Sequence, residues 1–125
     1  MPKPLPVLDT TGPVCCSTLA AGPVSEDDAL AIALRLKALA DPVRVRLMSL
    51  VMARADTGAC TCDLAPAVGV TEATASHHLK QLRDAGLVEG TRKGTNVHYR
   101  PRLESLGALC RVIDPACCED QEVVR

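Results

Sequence analysis

From Glu72 to Ala85 the chain carries neither proline nor glycine, with Thr71 in front of the run and Gly86 behind it. Threonine is a good helix N-cap and glycine a ready C-terminal cap, so the stretch predicts one uninterrupted helix. Just upstream, the run from Asp63 to Val70 predicts a shorter helix closed by a turn at Gly69. Pro66 argues against a start much before Asp63, because it has no N–H to give to an earlier carbonyl. Two helices across a short glycine turn form a helix-turn-helix unit. At about 100° per residue, Ala75, Leu79 and Leu82 share one face of the second helix, and Ala73, Thr74, His77, Lys80 and Gln81 share the other.

The flanking segments fit around that unit. Ser25 is an N-cap followed by Glu26, Asp27 and Asp28, whose charges suit the positive end of a helix dipole, and the helix continues through Leu30, Leu34, Leu36 and Leu39 to about Ala40. Asp41-Pro42 starts a second helix, with Val43, Leu47, Leu50 and Val51 as its apolar stripe. Residues 87 to 100 predict two short strands around Lys93-Gly94, in which Val97 and Tyr99 alternate with His98 and Arg100. After Pro101, the positions Leu103, Leu106, Leu109 and Ile113 mark a last helix. We therefore expect a mainly α fold with a small β part: a winged helix-turn-helix with a two-stranded wing and helices at both ends that form a dimer interface. Residues 1–24, with five prolines, are expected to be an extended arm, residues 25–114 the domain, and residues 115–125 a tail.

Composition narrows the function. With one tyrosine and no tryptophan or phenylalanine, the core must be built from Leu, Val, Ile, Ala and Met. No apolar run approaches the roughly 20 residues that span a bilayer, and the N-terminus lacks the pattern of a signal peptide, so a cytoplasmic protein with no membrane partner is expected. The net charge of −1 is no guide to DNA binding by itself, because the cations are local. Between Thr71 and Arg102 stand Lys80, Arg83, Arg92, Lys93, Arg100 and Arg102 against Glu72, Asp84 and Glu89. Lysine and glutamine on an exposed helix can meet base edges or phosphates in a major groove, and small hydroxyl residues permit close approach. The same face also fits an ordinary solvated surface; the basic hairpin directly behind it favours DNA. No phosphate loop, paired catalytic carboxylates or Cys-x-x-Cys motif supports an enzyme.

The seven cysteines are an odd number for a disulfide framework and are expected to be reduced thiols. Cys15-Cys16, Cys60-Thr61-Cys62 and Cys117-Cys118 are close groupings that suit soft metal ions, and Cys110 stands apart. At a helix N-terminus the dipole favours thiolate at Cys60 and Cys62, though a buried cysteine pair also serves as a small hydrophobe. A thiol redox switch is a further reading of the same pairs. His77-His78 lacks the i, i+4 spacing of a helical metal site; His77 points outward with Lys80, and His78 lies toward the flank.

"LKALADPVRVRLMSLV" (36–51), "CTCDLAPAVGVTEATASHHLKQLRDAGLV" (60–88) and "GTRKGTNVHYR" (90–100) together resemble the ArsR/SmtB family of metal-responsive winged helix repressors, most of all its arsenic-responsive members. The likeness covers about residues 29 to 113. It implies a homodimer that binds double-stranded operator DNA and releases it when a metal or metalloid binds. The implied DNA-contacting residues are Thr71, Ala73, Thr74, Ser76, His77, Lys80 and Gln81 on the recognition helix, with Arg92, Lys93, Thr95 and Arg100 on the wing. Cys60-Thr61-Cys62-Asp63-Leu64 looks like the family's metal box, and "CCSTLAAGP" (15–23) looks like its cysteine-bearing arm. The implied ligands are Cys15, Cys16, Cys60 and Cys62, with As(III) or Sb(III) as inducer, or Cd(II) or Pb(II) if all four thiolates bind. The last helix departs from the family pattern in lacking the paired Asp/His and His/Glu positions of its zinc site.

Overall fold

The computed structural model describes Leu19 and residues 22–113; the arm with Cys15 and Cys16 and the tail with Cys117 and Cys118 lie outside the described residues. The order is α1 (Glu26–Leu39), α2 (Pro42–Ala53), β1 (Ala59–Cys60), α3 (Thr61–Val68), α4 (Glu72–Asp84), β2 (Val88–Lys93), β3 (Asn96–Pro101) and α5 (Leu103–Ile113). It is a winged helix-turn-helix in which α3, the turn and α4 are the central unit and β2–β3 is the wing.

Local chemistry sets the boundaries. Ser25 Oγ accepts from the Asp28 N–H at 3.1 Å to start α1. Asp41 Oδ1 accepts from the N–H groups of Val43 at 2.8 Å and Arg44 at 3.2 Å to start α2. The Arg44 hydrogen bond is the main cause that holds the Asp41 carboxyl below its ordinary value. A carboxylate whose folded pKa is lowered adds stability above its unfolded pKa and loses it as the pH falls through the folded value. Asp41→Ala is therefore expected to lower Tm near neutral pH, with the difference from wild type shrinking in acid. A constant difference across a pH series of thermal melts would show that the charge does not matter.

The two glycine turns share one geometry. Gly69, at φ 75°, gives its N–H to Pro66 and the next N–H, of Val70, reaches back to Ala65. Gly86, also at φ 75°, gives its N–H to Arg83, and Leu87 reaches Leu82. Each is a Schellman motif that needs a left-handed residue, which glycine adopts without strain. At Gly86 the flanking Leu82 and Leu87 are both fully buried, which anchors the end of α4 to the core.

Two features differ from the sequence expectation. α3 begins at Thr61, two residues early, and carries Pro66 inside it. In so short a helix the proline removes one N–H, and Cys60 supplies the cap. Beside the expected hairpin, a third strand joins the sheet, giving the order β1-β3-β2 with all pairs antiparallel. Ala59 pairs with Tyr99 and Cys60 with His98, and on the other side of β3 Gly90 pairs with Tyr99. A Cβ at Gly90 would stand 3.1 Å from both Tyr99 Cε1 and Val97 Cγ1, so a larger residue there would have to displace these side chains by a few tenths of an ångström.

The core runs through Leu47, Val51, Leu79, Leu82, Leu87, Val88 and Val112, all nearly inaccessible to water. Each such side chain contributes about 1.5–3 kcal/mol of burial free energy. α1 turns Ile32 and Ala38 inward but leaves Leu30, Leu34 and Leu36 exposed, and α5 buries Leu109 and Val112 while Leu103 and Ile113 face out. No helix among the described residues is long and apolar enough to cross a membrane.

Candidate DNA interface and thiol site

α4 turns its two faces as its periodicity requires. Ala75, Leu79 and Leu82 are buried, and Thr71, Ala73, Thr74, Ser76, His77, Lys80 and Gln81 are all exposed. Thr71 is the N-cap: its hydroxyl accepts from the Thr74 N–H at 3.1 Å and donates to Thr74 Oγ1 at 3.0 Å. The free N–H groups and dipole at this end attract an anion such as a phosphate.

The wing tip is a two-residue turn, with Lys93 paired to Asn96 and Gly94 at φ 65°. A positive φ at the first central residue and none at Thr95 is the sign pattern of a type II′ hairpin turn. Arg92, Lys93 and Thr95 are exposed there. Arg100 is different: it is half-buried at the wing base and its Nη2 donates to the Asp56 carbonyl at 3.2 Å. It braces the wing against the loop after α2.

Sequence reasoning missed a clamp behind the recognition helix. Arg44 Nε donates to the Ala38 carbonyl at 2.6 Å, and its Nη1 lies 3.2 Å from His78 Nδ1. One guanidinium thus ties the end of α1 and the start of α2 to α4. Sequence periodicity placed His78 toward the flank of α4, but nothing in the sequence named Arg44 as its partner.

The thiols lie at the opening of the helix-turn-helix. Cys60 is 4% exposed and caps α3, its Sγ accepting from the Cys62 N–H at 3.1 Å, while Cys62 is exposed. The expectation of reduced thiols is corrected here. Cys60 and Cys62 are joined by a disulfide, their Cα atoms 5.1 Å apart, and Cys110 is disulfide-bonded as well. The physical reason for the first is proximity: one residue of spacing across a strand-to-helix junction turns both sulfurs to the same side. Asp63 pairs with Arg54 at 3.2 Å, both more than half exposed, so the ion pair adds little stability. No group of three His, Cys, Asp or Glu side chains that could hold a metal ion stands together among the described residues.

The recognition helix, its supporting helix and the basic hairpin define a DNA-binding transcriptional regulator rather than an enzyme. Residues 41–90 match the profile of the family described as bacterial regulatory protein, arsR family. The arsenical resistance operon repressor of Bacillus subtilis is 37% identical over 84 residues, 67% of this chain and 76% of that protein. A transcriptional repressor SmtB homolog of Synechocystis is 47% identical over 76 residues, 61% of this chain but only 55% of its own length. Among solved structures, a homodimeric winged helix-turn-helix DNA-binding domain from Mycobacterium bovis superimposes with a TM-score of 0.58 at 28% identity, covering 80% of this chain and 91% of that one. The chain belongs to the ArsR/SmtB family of transcriptional regulators.

Proposed function

We propose that this protein is a homodimeric repressor that releases its operator when As(III) or Sb(III) binds through cysteine thiolates. The observation that carries the reading is the position of Cys60. It caps α3 of the helix-turn-helix and sits in a strand paired with His98 of the wing, one step from both DNA-reading elements.

The donor chemistry agrees. Thiolates are soft ligands that select soft ions over hard ones. As(III) takes three thiolates: each S–H proton leaves with a hydroxide of arsenous acid as water, and an As–S bond forms. Cys60 and Cys62, once reduced, supply two sulfurs, and Cys15 or Cys16 of the arm supplies the third. Similarity to an arsenical resistance operon repressor supports the choice of ion.

Dimer formation is supported by the exposed apolar faces of α1 and α5, where Leu30, Leu34, Leu103 and Ile113 offer apolar surface to a second subunit. Two recognition helices then face successive major grooves about 34 Å apart. Thr71, Ala73, Thr74, Ser76, His77, Lys80 and Gln81 meet one groove, while Arg92, Lys93 and Thr95 meet the flanking phosphates. Arg100, held by Asp56, steadies the wing base. Inducer binding changes the α3 start and β1 together, and a coupling of about 1–3 kcal/mol lowers operator affinity some 5- to 150-fold.

The test is fluorescence anisotropy of the reduced protein on its own promoter DNA, titrated in parallel with arsenite, antimonite, Cd(II), Pb(II) and Zn(II). Release by arsenite or antimonite at about one ion per site is expected. Release by Cd(II) or Pb(II) alone would replace the inducer by a four-thiolate ion, and tight binding that no ion disturbs would end the sensing proposal. A companion measurement addresses the wing. Arg92→Ala with Lys93→Ala is expected to weaken binding to all sequences and to flatten the salt dependence by about 1 to 2 in log–log slope, since each phosphate contact contributes about 0.9. An unchanged slope would remove the wing from the interface.

A further inference from the structure

The disulfide between Cys60 and Cys62 uses the two sulfurs that the inducer needs. With it closed, α3, the Gly69 turn, α4 and the wing are all in place, and every recognition-helix residue proposed to meet DNA is exposed. Closing the disulfide therefore removes two of the three proposed sulfur ligands without dismantling the DNA-reading surface.

We propose that Cys60 and Cys62 form a reversible redox site whose oxidation leaves the protein competent for DNA but blind to its inducer. The inference rests on the repressor reading above and adds a second chemical input, a peroxide-class oxidant. The two cysteines are unequal in a way that suits the reaction. Cys62 is exposed and meets the oxidant; Cys60 is buried at 4% exposure, lies next to Cys62 across the start of α3 and completes the bond.

In the first step the Cys62 thiolate attacks one oxygen of the peroxide. The O–O bond breaks, the sulfur is oxidised to a sulfenic acid, and the other oxygen leaves as water after taking up a proton. In the second, the Cys60 thiolate attacks the Cys62 sulfur, the S–O bond breaks and hydroxide leaves, taking a proton to become water. Together the two thiols have lost two electrons and two protons, and the peroxide has been reduced to two waters. Two small cellular thiols restore the pair: the first attacks the exposed Cys62 sulfur and releases the Cys60 thiolate, the second attacks the resulting mixed disulfide and releases Cys62, and the two leave joined as a disulfide.

The state of the pair can be read directly. The tryptic peptide spanning residues 55–80 contains Cys60 and Cys62 and no other cysteine, so an internal disulfide appears as the loss of two hydrogens from that peptide. The full-length chain, either kept reduced or treated with hydrogen peroxide at one equivalent and confirmed in this way, is then placed on operator DNA and titrated with arsenite and antimonite. The oxidised form is expected to bind the operator within about 3-fold of the reduced form. Its release midpoint is expected to move up by about 100-fold, or release to vanish, and to return after treatment with dithiothreitol and its removal.

Oxidised protein that falls off the DNA without any ion would overturn the proposal, because oxidation would then be an inducing event. So would equal release of both forms with the 55–80 disulfide intact, or a 55–80 peptide that keeps both thiols at the peroxide dose that oxidises the other cysteines. Reduced protein that no ion releases would overturn the sensing reading and the gate with it, whereas equal release of both forms overturns the gate alone.

Discussion

Replacing Cys60 and Cys62 together by serine is expected to leave operator binding within about 3-fold of wild type and to abolish release by arsenite or antimonite, with any residual midpoint displaced by about 100-fold or more. Serine is the informative choice because Cys60 has two duties. Its sulfur caps α3 by accepting the Cys62 N–H, and it is a proposed ligand. A serine hydroxyl is among the best N-caps, so the helix keeps its start, while a hard oxygen replaces the soft sulfur. Alanine would confuse the two effects, since losing a cap alone costs about 1 kcal/mol. The measurement is anisotropy on the promoter with and without each ion. A serine variant that still releases its DNA at the wild-type arsenite concentration would remove the α3 pair from the inducer site.

Leu79→Ala is expected to have the largest effect on stability, about 2–5 kcal/mol. Leu79 has no exposed surface and packs with Leu47, Val51 and Leu82 in one cluster, so its truncation leaves a cavity under the recognition helix. For a domain of this size each kcal/mol lowers Tm by about 4–8 °C. Against a total stability of about 5–15 kcal/mol, the loss also depletes the DNA-binding state. Its neighbour Lys80 faces the other way, and Lys80→Ala is expected to shift stability by no more than about 0.5 kcal/mol while weakening DNA binding. Thermal unfolding and anisotropy on both variants check the pair. Equal melting temperatures would mean that the two faces of α4 have been exchanged.

Much of the DNA-reading surface was legible because its signals are local. The cap at Thr71, the 3.6-residue stripe of Ala75, Leu79 and Leu82, and Gly86 all lie within sixteen residues of sequence, and each turned out in its expected place. The basic hairpin was legible too, although its turn falls at Gly94-Thr95, one residue past the expected Lys93-Gly94, because Lys93 pairs with Asn96. Arg100 carries a feature that no pattern announced: its Nη2 donates to the Asp56 carbonyl. A backbone carbonyl 44 residues away leaves no mark on the pattern around an arginine.

The sequence alone determined the order of the helices, the recognition helix with its inward and outward faces, and the wing hairpin, because caps, periodicity and turn glycines act over one or two helical turns. Tertiary structure decided the rest. β1 is two residues long, too short for any alternation to show, and exists as a strand only because β3 offers it a free edge. That pairing brings Cys60 beside His98, and packing of α1 and α2 onto α4 brings Arg44 to His78, 34 positions apart. Whether two neighbouring cysteines can reach each other is likewise set by the folded chain, which residue spacing limits but does not fix.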